Sequence, residues 1–204
     1  MGKNCYPGKF VVIEGIDGCG KTSQINLLVE FLKKKKKDVI VTKEPTEKSK
    51  AGKRIRQVLE GKLKMDPLEL QKLYVQDRKE HLEREIVPAL KKGKIVVCSR
   101  YFFSTLAYGS AEGIEMDLLM KMNKRFLLPD LVIILKASPS VCLERIKERG
   151  KKEEFFEKKE KLERVSKIYE KMPSLFKNVI IIDGEREIEE IFDEIKKIVQ
   201  EKII

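Results

Sequence analysis

Gly15-Ile16-Asp17-Gly18-Cys19-Gly20-Lys21-Thr22 is the stretch that decides the architecture of this 204-residue chain. It matches G-x-x-x-x-G-K-[ST], the phosphate-binding P-loop, and its surroundings fit as well. The apolar run Lys9-Phe10-Val11-Val12-Ile13 comes before it and a helical pattern starts at Lys21. In that setting the glycines let successive backbone N–H groups turn inward around an anion, and the helix N-terminus adds partial positive charge. The loop residues, Gly15 through Thr22, are therefore expected around the phosphates of a nucleotide. Lys21 would reach the β and γ phosphates, and the Thr22 hydroxyl would ligate Mg²⁺.

Working outward, four more short β-branched runs read as buried strands: Val39 to Thr42, Ile95 to Cys98, Leu131 to Leu135 and Val179 to Ile182. Their continuous apolar character is that of parallel strands, and longer amphipathic segments separate them. Asp66-Pro67-Leu68-Glu69 reads as an N-cap, a proline at the first helical position and a capping-box glutamate, and Lys91-Lys92-Gly93 closes that helix. Ser138-Pro139 opens another helix, expected to end at Arg149-Gly150. The last helix spaces Ile188, Ile191, Ile195 and Ile198 along one face. Alternation of this kind predicts an α/β P-loop fold with a five-stranded parallel sheet flanked by helices, formed as one domain over residues 1–204. Nearly every residue from Lys147 to Arg164 is charged. That stretch reads either as a solvated helix or as a mobile lid over about residues 147–160.

Composition excludes several classes. The longest apolar runs fall far short of the roughly 20 residues a membrane span requires, so no membrane association is expected. No signal-peptide pattern leads the chain, which points to a cytoplasmic protein. Cys5, Cys19, Cys98 and Cys142 lack metal or disulfide spacing and read as reduced thiols. The formal charge of +11 suggests a polyanionic partner, but 33 acidic residues are interleaved with the 44 basic ones. With no aromatics among the lysines to stack bases, no specific nucleic acid is expected. The pure run Lys33 to Lys37 lies at a helix C-terminus, where cations complement the macrodipole.

Arg100 ends an apolar strand, where an arginine needs an anionic partner. It also lies at the carboxyl edge of the expected sheet, as the P-loop does, where ligands bind in folds of this type. Tyr74 on its helix could be a core residue. Arg78 finds no acidic neighbour three or four positions away, since those places hold Val75, His81, Tyr74 and Leu82. His81, the sole histidine, reads as an ordinary surface or groove residue.

Read from Lys9 onward, Phe10-Val11-Val12-Ile13-Glu14-Gly15-Ile16-Asp17-Gly18 with Lys21-Thr22-Ser23-Gln24 closely resembles the start of thymidylate kinases. Lys43-Glu44-Pro45-Thr46, Leu73-Tyr74-Val75-Gln76-Asp77-Arg78 with Glu80-His81, Arg100 to Tyr108, Pro129-Asp130-Leu131 and Leu143 to Gly150 are similar to further blocks of that family in the same order. The resemblance covers about residues 9 to 183. It implies phosphoryl transfer from ATP to dTMP with Mg²⁺, giving dTDP and ADP, by an enzyme that is usually a homodimer. It also implies an acceptor site of Lys43, Tyr74, Arg78, Arg100, Ser104, Thr105 and Tyr108. Tyr74 would stack on thymine, Arg78 and Thr105 would bond its edge, with Ser104 nearby, and Tyr108 would underlie the sugar where a 2′-OH would clash. Arg100 would hold the acceptor phosphate, and Asp17 would contact the acceptor near its phosphate or sugar hydroxyl.

Several positions depart from the family pattern. Ser99 stands where the family has an aspartate, Gly109 replaces a polar residue, and Glu154-Phe155-Phe156-Glu157 lacks a lid arginine. The P-loop carries Gly18 rather than the arginine of one subgroup. Arg149 is then the first choice for neutralising the transferring phosphoryl group, with Lys151, Lys152 and Arg145 behind it. Asp17 or Glu44 would compensate at the metal. On the residues alone, a kinase with another acceptor and a non-catalytic nucleotide-binding module stay open.

Overall fold

The computed structural model describes residues 1–148 and 155–204. In chain order the elements begin with β1 (Gly2–Lys3), β2 (Lys9–Glu14), α1 (Lys21–Lys34), β3 (Val39–Lys43), α2 (Lys50–Leu59) and α3 (Pro67–His81). A π-helical turn, Leu82–Ile86, joins α3 to α4 (Val87–Lys91). Then come β4 (Ile95–Ser99), α5 (Phe102–Ala111), α6 (Met116–Asn123), β5 (Leu127–Leu128) and β6 (Leu131–Lys136). α7 (Pro139–Glu148), α8 (Phe155–Leu175), β7 (Val179–Asp183) and α9 (Ile188–Lys202) follow.

The five expected strands form one parallel sheet of order β3-β4-β2-β6-β7. Each runs one residue beyond its apolar run, because the ladder pairs backbone groups irrespective of side-chain burial. The added residues, Glu14, Lys43, Ser99, Lys136 and Asp183, line the carboxyl edge with polar groups. Phe10, Val11, Val12, Ile13, Val96, Val97, Val132 and Ile133 are wholly buried, so the central strands are covered on both faces. β3 corrects the sequence reading: it is an edge strand, and Val41 is 50% exposed.

Local signals act much as written. Asp66 caps α3 by accepting from the amides of Leu68 and Glu69, while Glu69 reaches Lys72 rather than closing the box. The helical stretch expected up to Lys91 is interrupted by the π turn. Pro88 has no amide to offer the Arg84 carbonyl four residues back, so the regular ladder cannot pass there. Gly93, at φ 75°, ends α4. On α9 the buried stripe is Ile191, Ile195 and Val199, and Ile188 is 48% exposed. A small parallel pair, β1 with β5, was not foreseen. It is tied to the main sheet by Asp130, whose carboxylate accepts from the Asn4 amide and the Phe10 N–H. Among the described residues no helix is long and apolar enough to cross a membrane. The charged stretch expected to form a lid falls partly outside the described residues.

Candidate active site

β2 delivers the chain into the loop, and the loop's shape depends on two glycines. Gly15 has φ 133° and Gly18 has φ 90°, both in territory that favours glycine. A Cβ at Gly15 would sit 2.6 Å from the Leu135 carbonyl oxygen, and one at Gly18 only 2.3 Å from that of Cys142. The ends of β6 and α7 therefore press backbone directly against the loop. Gly20 precedes α1 with no side chain capping the helix and no acidic residue in its first turn, leaving the helix N-terminus to an anion.

Lys21 is buried inside this loop. Its ammonium donates to the carbonyls of Gly15 at 2.9 Å and Ile16 at 2.8 Å, and Asp17 lies 3.9 Å away. Burial lowers its pKa, and the nearby Arg100 charge acts in the same direction. Ile16 and Cys19 are buried, whereas Thr22 stands exposed at the start of α1. This cradle fits a polyphosphate. Among the described residues no three His, Cys, Asp or Glu side chains gather where they could hold a metal. The donor set therefore fits a magnesium ion carried mainly by phosphate oxygens and water.

The second half of the site starts where β4 ends. Arg100 adopts φ 67°, a left-handed conformation that costs a residue with a side chain about 1–3 kcal/mol. Its amide donates to the Ile13 carbonyl of β2, and its side chain turns back toward the P-loop. One guanidinium nitrogen donates to Asp17 at 2.7 Å, another to the Ser104 hydroxyl at 3.0 Å, and the group lies 5.3 Å from the centre of the Tyr108 ring. Burial pushes the Tyr108 phenol up to about 12, against the pull of Arg100. Tyr74 is likewise pushed up to about 12 by burial, with Arg100 and Asp17 among the charges acting on it. Asp17, Lys21, Tyr74, Arg100, Ser104 and Tyr108 thus converge at one edge of the sheet.

Beneath Arg100 lies a carboxylate to which the sequence reading gave no role. Glu14, fully buried, accepts from the amides of Tyr101 at 2.7 Å and Ser104 at 3.2 Å. Its other oxygen accepts from the hydroxyls of Ser104 and Tyr169, both at 2.8 Å. Only its position beside Gly15, after a wholly apolar run, could have drawn notice to it.

Arg78 and Thr105 form a deeper layer. The Arg78 guanidinium donates to Glu44 at 2.8 Å, to Asn123 at 2.6 Å and to the Thr105 hydroxyl at 3.1 Å. The acidic partner missing from its own helix comes from the loop after β3. His81 corrects the expectation of an ordinary surface or groove residue: it is buried, with Nδ1 3.2 Å from Glu44 and Nε2 2.6 Å from the Thr42 hydroxyl. Glu44 is thus buried between these two partners. Lys43 does not join the cluster, since its ammonium bonds Glu47 at the surface. Arg145 bonds the Gly184 carbonyl at 2.9 Å. Arg149, Lys151 and Lys152 lie outside the described residues.

A family profile described as thymidylate kinase matches residues 13–195. A protein of Pyrococcus horikoshii named "Probable thymidylate kinase" is 38% identical over 202 residues, covering 97% of this chain and 98% of that one. One of the same name from Pyrococcus abyssi is 37% identical with the same coverage. A "Thymidylate kinase" of Caldicellulosiruptor saccharolyticus is 36% identical over 95% of this chain and 97% of its own. With a P-loop and Arg100 at the carboxyl edge of one sheet, and likeness running along nearly its whole length, this chain belongs to the thymidylate kinase family.

Proposed function

We propose that the protein transfers the γ-phosphoryl group of ATP to dTMP, giving dTDP and ADP, as a step toward dTTP. The observation that carries this reading is the pair of cations flanking Asp17. Lys21 lies on the donor side inside the P-loop, and Arg100 faces it from the end of β4. A reaction joining two phosphate groups needs such cations to bring like charges together, and positioning with charge neutralisation supplies most of the catalysis.

In this reading the P-loop amides, Lys21 and the α1 N-terminus hold the donor phosphates, and Thr22 takes part in holding magnesium. ATP with its magnesium supplies the phosphoryl group. Arg100, assisted by Ser104, fixes the acceptor phosphate, and Asp17 keeps both cations oriented. Tyr74 offers a face for the thymine ring, which can contribute about 1–3 kcal/mol. Tyr108 lies against the sugar, while Arg78 and Thr105 form the floor that reads the pyrimidine edge. Lys43 would join the acceptor site once it leaves Glu47, and Arg149 remains our choice for the catalytic cation of the lid.

The reading extends to a cytoplasmic homodimer without specific nucleic-acid binding. The four cysteines, all free, suit a reducing compartment. A coupled ADP-release assay with dTMP, dUMP, dGMP and thymidine as acceptors tests the activity, and light scattering tests the dimer. Preference for dTMP is the expected result. Equal or greater turnover with another acceptor would overturn the substrate assignment.

A further inference from the structure

We infer that Glu14 is a positioning residue for the phosphoryl acceptor, locking the Arg100 turn to the P-loop; the inference rests on the reading of Arg100 as the cation that holds the acceptor phosphate. Glu14 is the last residue of β2 and is bonded directly to Gly15, the first residue of the loop. Residues 13 and 14 then grip residues 100 and 101 from the neighbouring strand. The Ile13 carbonyl accepts from the Arg100 amide at 3.0 Å, and the Glu14 carboxylate accepts from the Tyr101 amide at 2.7 Å. Between these two bonds sits the left-handed Arg100 backbone.

The carboxylate also does for α5 what that helix lacks locally. Tyr101 occupies the cap position without a capping side-chain bond, and Glu14 takes the amide of Ser104 in the first turn instead. A relay then runs outward to the reactive edge. The Ser104 hydroxyl donates to Glu14 and accepts from the Arg100 guanidinium, so one serine transmits the position of the carboxylate to the arginine's charged end. Tyr169 brings α8 into the same junction through its hydroxyl. The four groups that bond Glu14 are all donors: two amides and two hydroxyls. A carboxylate accepts from all four together, whereas a carboxamide would accept from the two amides and force both hydroxyls to turn from donors into acceptors.

A cap that merely stabilised the fold would affect both substrates alike, or neither. A positioning residue acts on the acceptor alone, and only through Arg100. The test uses the full-length protein and Glu14→Gln, which keeps shape but sets an N–H₂ group against the Ser104 and Tyr169 hydroxyls. Glu14→Gln should weaken dTMP binding, read by calorimetry without ATP, about 10-fold, the size expected for disturbing one charge-assisted contact. It should lower kcat/KM for dTMP at least as much, with ATP affinity within about twofold of the parent, since the P-loop amides and Lys21 are untouched. In an Arg100→Ala background the same substitution should cost less than about twofold, because coupled residues are not additive.

Equal cost with and without Arg100, or dTMP binding within twofold of the parent in a folded Glu14→Gln protein, would overturn the inference. Should Glu14→Gln fail to fold, Tyr169→Phe removes one donor from the same oxygen. It should weaken dTMP binding about threefold with ATP unchanged, and parental dTMP affinity there would overturn the inference equally. A parent protein that binds no dTMP removes the functional reading and this inference together, whereas an active parent with an unaffected variant removes this inference alone.

Discussion

The Arg100 guanidinium and the Asp17 carboxylate meet at 2.7 Å, joining the end of β4 to the middle of the P-loop although 83 positions separate them in the chain. Asp17 also lies 3.9 Å from the Lys21 ammonium, so one carboxylate bridges the two cations assigned to the two phosphates. The arginine side chain is 16% exposed and Asp17 is 61% exposed, which leaves the bridge open to an incoming ligand. Arg100→Ala should lower kcat/KM for dTMP by about 100-fold or more, because two charge-assisted bonds to phosphate contribute roughly 3 kcal/mol. The KM for ATP should change less than about threefold. Steady-state kinetics with each substrate varied in turn will show this, and a loss confined to ATP would contradict the assignment.

Lys21→Ala is expected to lower kcat by at least ~100-fold, as loss of one preorganised electrostatic contact to the transferring group costs about 3 kcal/mol in the transition state. The native ammonium is held by two loop carbonyls, so the melting temperature needs to be measured alongside. Near-parental turnover in a folded variant would refute the P-loop's role.

The buried Glu44–Arg78 pair leads to a stability prediction. Both side chains are almost wholly buried, and removing one charge strands the other. Glu44→Gln should destabilise the protein by about 3–5 kcal/mol. For a chain of this size that lowers the melting temperature by roughly 6–20 °C. Differential scanning calorimetry would detect it, and a shift within 2 °C would mean that Asn123 and Thr105 suffice to hold the guanidinium.

Tyr74 and Tyr108 give a spectroscopic test. Burial holds both phenols up to about 12, and burial pushes Tyr101 and Tyr169 well above the ordinary value too. In the unfolded chain a tyrosine titrates near 10. Between about pH 10 and 12 the folded state therefore binds more protons than the unfolded state, and stability falls as pH rises through that window. Absorbance at 295 nm should show far less phenolate at pH 11 in the native protein than in guanidinium. Superimposable titration curves would count against the packing described here.

Much of the fold was legible because its signals are local. The P-loop glycines answer a requirement of their own backbone, and the structure gives Gly15 and Gly18 the positive φ that the motif implies. Asp66 caps the helix it precedes, and Gly93 ends the one it follows, since both act within a few residues. The five apolar runs became strands because burial on both faces leaves an unbroken apolar run in the sequence. Even so, apolar character could not tell edge from centre, and Val41 is exposed on β3.

The polar interior was decided elsewhere. The sequence showed that Arg78 had no acidic neighbour on its own helix, but not that Glu44 would supply the charge, nor that His81 would close the same network from within the core. Nor did it assign Glu14, whose donors come from residues 101, 104 and 169. A residue's need for burial or for a particular backbone angle is intrinsic to it and to its neighbours, so the sequence states it directly. The identity of a buried group's partner depends on strand order and on which loops meet at the carboxyl edge, and only the packed tertiary structure brings β3, β4 and α3 together to settle it.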